Sequence, residues 1–400
     1  LILISFRLMQ KKLFKIFFLI CAINFSSTTY SANTNICSDP NDQILKNIKS
    51  IKVEVEDYRK WSLNSIRIIT GNFRWVPERF KKRYKSKIFV IFDDNSKCSL
   101  KGLIRHNGNQ KDHIQLVDNS NSIIQSLDVN LINGNINGIK KFKLLLNHTR
   151  GVLNDEIFLT TLLRHFNYLA PRTMLVDVNL NNSKTKMIFQ EKSAYEMLKH
   201  NNRLDGPIFR GDERFFFHLV ESLPDNNLSN EAQGMLPLLD KGAKIILAKS
   251  HNEEIIKKNN SYNEMTFNSL SNLNLIYLFY SSMFQNEHNK FKYSDYTLSN
   301  ELLAFNQKEN ILKLDKYNLI LNSANALHAL GVNNRKFYWN NTDQFFEPIN
   351  YDNNANFENK PIHLIMPISK HYKDAIVNLE NELKTIDIDK LGERLQEMGL

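Results

Sequence analysis

Residues 333–356, NNRKFYWNNTDQFFEPINYDNNAN, constrain the fold more tightly than any other stretch. Residues 335–339 and 344–349 are aromatic and β-branched runs, and Asn340, Asn341, Thr342 and Asp343 between them are turn formers, so the pattern predicts a β-hairpin. With Trp339 opposite Gln344, Asn334 falls opposite Ile349, and directly paired Cβ atoms lie about 5 Å apart. Asp352 follows immediately. The hairpin therefore offers the Asn334 carbonyl oxygen and the Asp352 carboxylate side by side, the hard-oxygen chemistry that Mg²⁺ requires. The same spacing serves equally well for an Asx pair that stabilises the turn.

Four hundred residues with 42% apolar content suffice for a large domain or two lobes. Near the N-terminus, Lys11, Lys12 and Lys15 precede an apolar run at 16–23, and Ser26, Ser27, Thr28, Thr29, Ser31 and Ala32 follow. This order predicts a secretory signal peptide over 1–32, cleaved near Ala32. A membrane span needs about 20 apolar residues, so no stable transmembrane anchor is expected. The net charge of +10 falls to +6 once Arg7, Lys11, Lys12 and Lys15 are removed with that segment. Basic runs such as Lys81, Lys82, Arg83, Lys85 and Lys87 suit an anionic surface or simply a solvated face. Nucleic acid is not an expected partner of an exported chain. Cys21 falls within the signal, leaving Cys37 and Cys98 as either free thiols or a disulfide worth on the order of 4 kcal/mol in the chain-entropy model. The frequent Asn, Lys and Ile are read as compositional bias, which blurs Asn as a turn signal.

Residues 33–190 predict a β-rich lobe with one long helix. Strand patterns occur at 51–55, 87–92, 126–131, 139–146, 173–180 and 186–189, with a basic polar segment after the first. Residues 153–169 switch to helical spacing, with Asp155 and Glu156 in the first turn and Pro171 beyond the end. Residues 191–400 predict a mainly helical lobe, with helices at 193–201, 215–223, 230–249, 270–285, 315–330 and 372–385 and the hairpin inserted between the last two. The pattern predicts a two-lobed α+β protein with its site in a cleft.

Neither G-x-x-x-x-G-K-[ST] nor G-x-G-x-x-G occurs among the 13 glycines, and HExxH and G-x-S-x-G are missing too, which removes standard P-loop, dinucleotide-binding, zincin and α/β-hydrolase chemistry. Lys141 and Lys143 sit on one face of the 139–146 strand, where they either reach phosphates or occupy an exposed sheet face. Glu156 can pair with such a lysine or complement the helix dipole. Glu191 ends an apolar strand, and Asp212 and Glu213 are acids in a loop, with equally open roles.

In order, GLIRHNGNQKDHI (102–114), SLDVNLINGNINGIKKFKLLLNHTR (126–150), NDEIFLTTLLRHFNYLAPRT (154–173), IFQEKSAYEMLKHNNRLDGPIFRGDERF (188–215) and HALGVNNRKFYWNNTDQFFEPINYDNNANF (328–357) resemble the CotH family, kinase-like proteins named after a spore coat protein. The likeness spans roughly residues 90 to 360 in family order. It implies an atypical protein-kinase-like fold that binds ATP and Mg²⁺ and phosphorylates a secreted or surface protein, on Ser or Thr. Carried over by position, it makes Asp352 the metal-binding acid, with Tyr351 in the family's aromatic position, and Asn334 a second metal contact. Lys143 becomes the phosphate-binding lysine, with Glu156 its partner and Glu191 beside the nucleotide. Asn333 stands where the family often has histidine, Asn353-Asn354 follow Asp352, and the acid before Asn333 that would act as base toward the acceptor is left unassigned. The alternative is a pseudokinase-type nucleotide or glycan binder of envelope assembly, or a structural coat component.

Overall fold

Alternating strands supply most of the first half. The computed structural model describes residues 37, 47–73, 75–117, 122–214, 246–286, 298–358 and 369–400; the signal-peptide expectation, the predicted helix at 215–223 and residues 230–245 of the one predicted at 230–249 lie outside them, while the end of the latter, from Ala248, is strand rather than helix. Ordered strands are β1 (Ile48–Val55), β2 (Tyr84–Phe92), β3 (Lys97–His106), β4 (Ile114–Val117), β5 (Ser122–Gln125), β6 (Leu127–Leu131), β7 (Lys141–Leu146), β8 (Thr173–Leu180) and β9 (Ser183–Glu191). Seven of them close into a barrel in the order β1-β2-β3-β6-β7-β9-β8. Closure comes from β8, which returns parallel to β1 with Ser50 opposite Asp177 and Val53 opposite Leu180. Inward residues such as Ile51, Val53, Ile88, Val90, Ile104, Val129, Phe142, Leu144 and Phe189 fill the interior, so the alternation of period two is satisfied around the whole ring.

Helix α1 (Tyr58–Thr70) occupies the segment whose basic character hides a helix. Asp57 caps it by accepting from the Lys60 N–H, and Trp61, Ser65 and Ile68 form its buried stripe. Cys37 and Cys98 are joined by a disulfide.

Helix α2 (Leu153–His165) lies between β7 and β8, and after β9 come α3 (Tyr195–His200), β10 (Ile208–Gly211), β11 (Ala248–Ser250), α4 (Asn260–Asn286), α5 (Asn300–Leu303), α6 (Lys308–Ser323), β12 (Lys336–Asn340), β13 (Phe345–Ile349), α7 (Tyr372–Lys384) and α8 (Ile388–Glu397). Two short strands extend the hairpin into a four-stranded sheet in the order β11-β10-β12-β13. Aromatic packing around Phe209, Tyr277, Phe337, Trp339, Phe345 and Phe346 buries it. None of the described helices is long and apolar enough to cross a membrane.

Two expectations are thereby corrected. The two-lobed kinase-like fold with a mainly helical C-terminal lobe is not what forms: the first half closes on itself as a barrel, the second carries its own sheet, and there are eight α-helices among the described residues. The described residues belong to a single compact unit. The hairpin forms, but its register slides by two residues. Trp339 faces Phe346 and Lys336 faces Ile349, because the loop runs from Asn341 to Gln344: Asn340 Oδ1 accepts from the Thr342 and Asp343 N–H groups at 3.1 Å, and Gln344 takes φ +53°. An even slip preserves the faces, yet it leaves Asn334 outside the ladder.

Candidate functional site

One row of side chains crosses the outer face of the barrel. Register pairs Arg105 with Asp128, Asp128 with Lys143, Lys143 with Gln190 and Gln190 with Thr173, and directly opposite residues share a face. Lys143 thus lies beside Gln190, whose Nε2 donates to Glu156 Oε1 at 3.1 Å. Glu156 is in the first turn of α2 and 1% exposed, and its Oε2 has no hydrogen-bond partner among the described residues. Burial pushes its carboxyl up, against the opposing Arg150 charge and the Gln190 hydrogen bond.

A second row crosses the other sheet, where Lys249, Arg210 and Lys336 are paired in register on β11, β10 and β12. Lys336 is 4% exposed and donates to Ser193 Oγ at 3.3 Å. Burial holds its ammonium well below the ordinary lysine range, and the Lys143 and Arg210 charges act in the same direction.

The two rows meet on Tyr351. Lys143 Nζ donates to its hydroxyl at 2.7 Å, and Lys336 Nζ stands 3.3 Å from its ring centroid. Burial would raise this phenol, but the charges of Lys143, Lys336 and Arg150 more than reverse that and bring it down to about 6.

Asp352 follows in the left-handed region at φ +52°, a conformation that Asp tolerates better than most residues. Its carboxylate is ion-paired with Arg150, and His328 Nε2 lies 3.7 Å from Oδ2. Asn334 Nδ2 donates to the Asp352 backbone carbonyl at 3.1 Å and to His328 O at 3.2 Å. The chain beyond is pinned to the start of α2: the Phe357 N–H donates to Asp155 Oδ2 at 2.8 Å, and the Phe357 ring meets Phe158 edge-on.

Lys143, Glu156, Asn334 and Asp352 are therefore assembled in one corner, although Asn334 reaches the backbone of Asp352 rather than standing opposite Ile349. Glu191 is elsewhere. It shares the inward row with Phe142 and accepts from the Arg172 N–H at 3.2 Å and Arg172 Nε at 3.4 Å, with His200 Nδ1 at 2.8 Å from its other oxygen. The corner also contains Lys336 and Arg150, which the sequence reading did not single out. Lys336 carries a weak signal, a cation opening an otherwise aromatic strand, while Arg150 carries none.

Among the described residues, no three His, Cys, Asp or Glu side chains gather as a metal cage. Mg²⁺ does not need one, because one or two carboxylates plus substrate phosphates complete its shell. The oxygen donors of Asp352, Asn334 and Glu156, with Glu156 Oε2 buried and unpartnered, fit that requirement.

No protein-family model matches the chain, and the search of curated proteins returns no match. The CotH resemblance thus rests on the residues quoted for it.

Proposed function

We propose that the chain is an exported phosphotransferase that binds Mg-ATP at the Tyr351 corner and phosphorylates a hydroxyl, on Ser or Thr, of a secreted or surface protein. The observation that carries this reading is the convergence of Lys143, Lys336 and Arg150 beside two carboxylates, Glu156 and Asp352. Like charges gathered this closely repel, and a polyanion relieves them; phosphates do so while accepting hydrogen bonds from both lysines. When bound, Mg²⁺ neutralises phosphate charge and would be held by Asp352, Asn334 and Glu156. Lys143 and Lys336 orient the phosphate chain, and Arg150 can exchange its Asp352 contact for a phosphate oxygen. Phosphoryl transfer asks mainly for such positioning and charge stabilisation. The frame is a barrel with an appended sheet, so the reading concerns the site and not a kinase fold.

A second reading, nucleotide or glycan binding without transfer, is favoured by one observation: Asp352 is already satisfied by Arg150. Calorimetric titration of the purified chain with Mg-ATP tests the primary reading. Binding is expected in the wild type, with affinity lowered in Asp352→Ala by about 1.5–3 kcal/mol, the range for a contact to a charged group. No binding by the wild type would sink the proposal. Binding without any phosphate transfer would leave the second reading.

A further inference from the structure

Resting on the phosphotransfer reading, we propose that Glu213 is the carboxylate that takes the proton from the acceptor hydroxyl, a role the residues just before Asn333 do not supply. Its position follows from the end of β10. Gly211 is packed so closely that a Cβ there would meet Val332 O at 2.6 Å and Asn333 O at 2.9 Å, so only glycine lets β10 run this near the residues leading into β12. Two residues on, Glu213 Oε1 accepts from Asn333 Nδ2 at 3.3 Å. The next residue, Asn334, is bonded to the backbone of Asp352. Glu213 thus contacts the residue next to Asn334 and feels the charges of Arg210, Lys249 and Lys336, the second basic row, and Arg210 Nε in that row is a buried donor without a partner among the described residues.

Its neighbour makes the assignment selective. Asp212 is consumed by Arg214, whose Nε donates at 2.8 Å, and by Lys249, also at 2.8 Å; the Arg214 hydrogen bond leads in holding that carboxyl far below the usual range. Glu213 has no ion pair among the described residues, and burial raises its carboxyl against the opposing Arg210 charge, the Asn333 hydrogen bond and the charges of Lys249 and Lys336. Adjacent carboxylates pushed apart in this way divide into a fixed charge and a proton acceptor. In the step, the acceptor oxygen bonds to the γ-phosphorus as the bond from that phosphorus to the β,γ-bridging oxygen breaks. ADP leaves with the electron pair, and the hydroxyl proton passes to Glu213.

The test compares wild type and Glu213→Gln, which keeps the size of the side chain and an oxygen for Asn333. Mg-ATP affinity is measured by calorimetry, and turnover as ADP released with water or protein as acceptor. The expected result is unchanged affinity and unchanged KM, with kcat lower by about 10²–10⁴-fold and the acid limb of the pH–rate profile lost. Glu213→Asp should recover part of the rate. Equal turnover in wild type and Glu213→Gln overturns the proposal while sparing the reading beneath it, and so does parallel loss of affinity and rate, which marks a structural role. A wild type that binds Mg-ATP but never releases ADP overturns it as well. A wild type that does not bind Mg-ATP removes both.

Discussion

Glu191→Ala is expected to lower the unfolding free energy by about 3–5 kcal/mol, because it strands the Arg172 guanidinium inside the protein. Arg172 is 2% exposed and also donates to the backbone carbonyl of Asn137 at 2.8 Å, so it cannot retreat to solvent. Burial would raise the Glu191 carboxyl, but Arg172, with support from the His200 hydrogen bond, brings it down to about 2. A depressed carboxylate contributes stability above its unfolded pKa, near the ordinary 4.5, and that contribution fades as pH falls through about 2. Urea unfolding at neutral pH and again near pH 2–3 checks both statements: the gap between wild type and variant should be wide at neutral pH and narrow in acid. The substitution should leave Mg-ATP binding by the folded fraction intact, since Glu191 touches none of the corner residues. A stable variant that fails to bind nucleotide would return Glu191 to the site.

Lys143→Met carries the second large effect. The lysine makes the direct hydrogen bond to the Tyr351 hydroxyl and leads the charges that lower it. Removing an opposite charge at this range should raise the phenol by about 1–3 units from its value near 6. In the wild type the phenolate adds stability that is fully present above the ordinary tyrosine pKa of 10 and is lost as pH falls through about 6. Phenolate absorbance near 295 nm, titrated in wild type, Lys143→Met and Tyr351→Phe, isolates this one group. The wild type should show one early-ionising tyrosine that Tyr351→Phe lacks and Lys143→Met delays. The same Lys143→Met chain should bind Mg-ATP about 10- to 150-fold more weakly, since a charge-assisted contact to phosphate is worth roughly 1.5–3 kcal/mol.

Much of the strand content was readable because its period is strict. KIFVIF at 87–92 and MIF at 187–189 are continuous or alternating apolar runs, and both lie in barrel strands. Barrel closure was not readable, since it depends on β8 lying parallel to β1, more than a hundred residues away in the chain. β3 escaped notice because Lys97, Lys101 and Arg105 point outward and break the apolar pattern, and α1 because its outward basic residues mask the stripe of Trp61, Ser65 and Ile68. Of the corner residues, Asp352 stood out by its place just after the hairpin, and Lys143 as a phosphate-binding lysine only through the CotH resemblance. Lys336 and Arg150 were not legible, because their relevance arises only when β12 and the end of β7 meet at Tyr351. Glu191 shows how sharp the period-two rule is: paired with Phe142 rather than Lys143, it falls on the inward row and becomes a buried ion-pair partner.

The most direct measurement is a crystal structure of the chain with Mg²⁺ and a non-hydrolysable ATP analogue. The metal is expected on the Asp352 carboxylate, with phosphate oxygens accepting from Lys143 and Lys336 and Arg150 released from Asp352 toward the nucleotide. A nucleotide bound elsewhere, with the Arg150–Asp352 pair intact and Lys143 still donating to Tyr351, would contradict that placement.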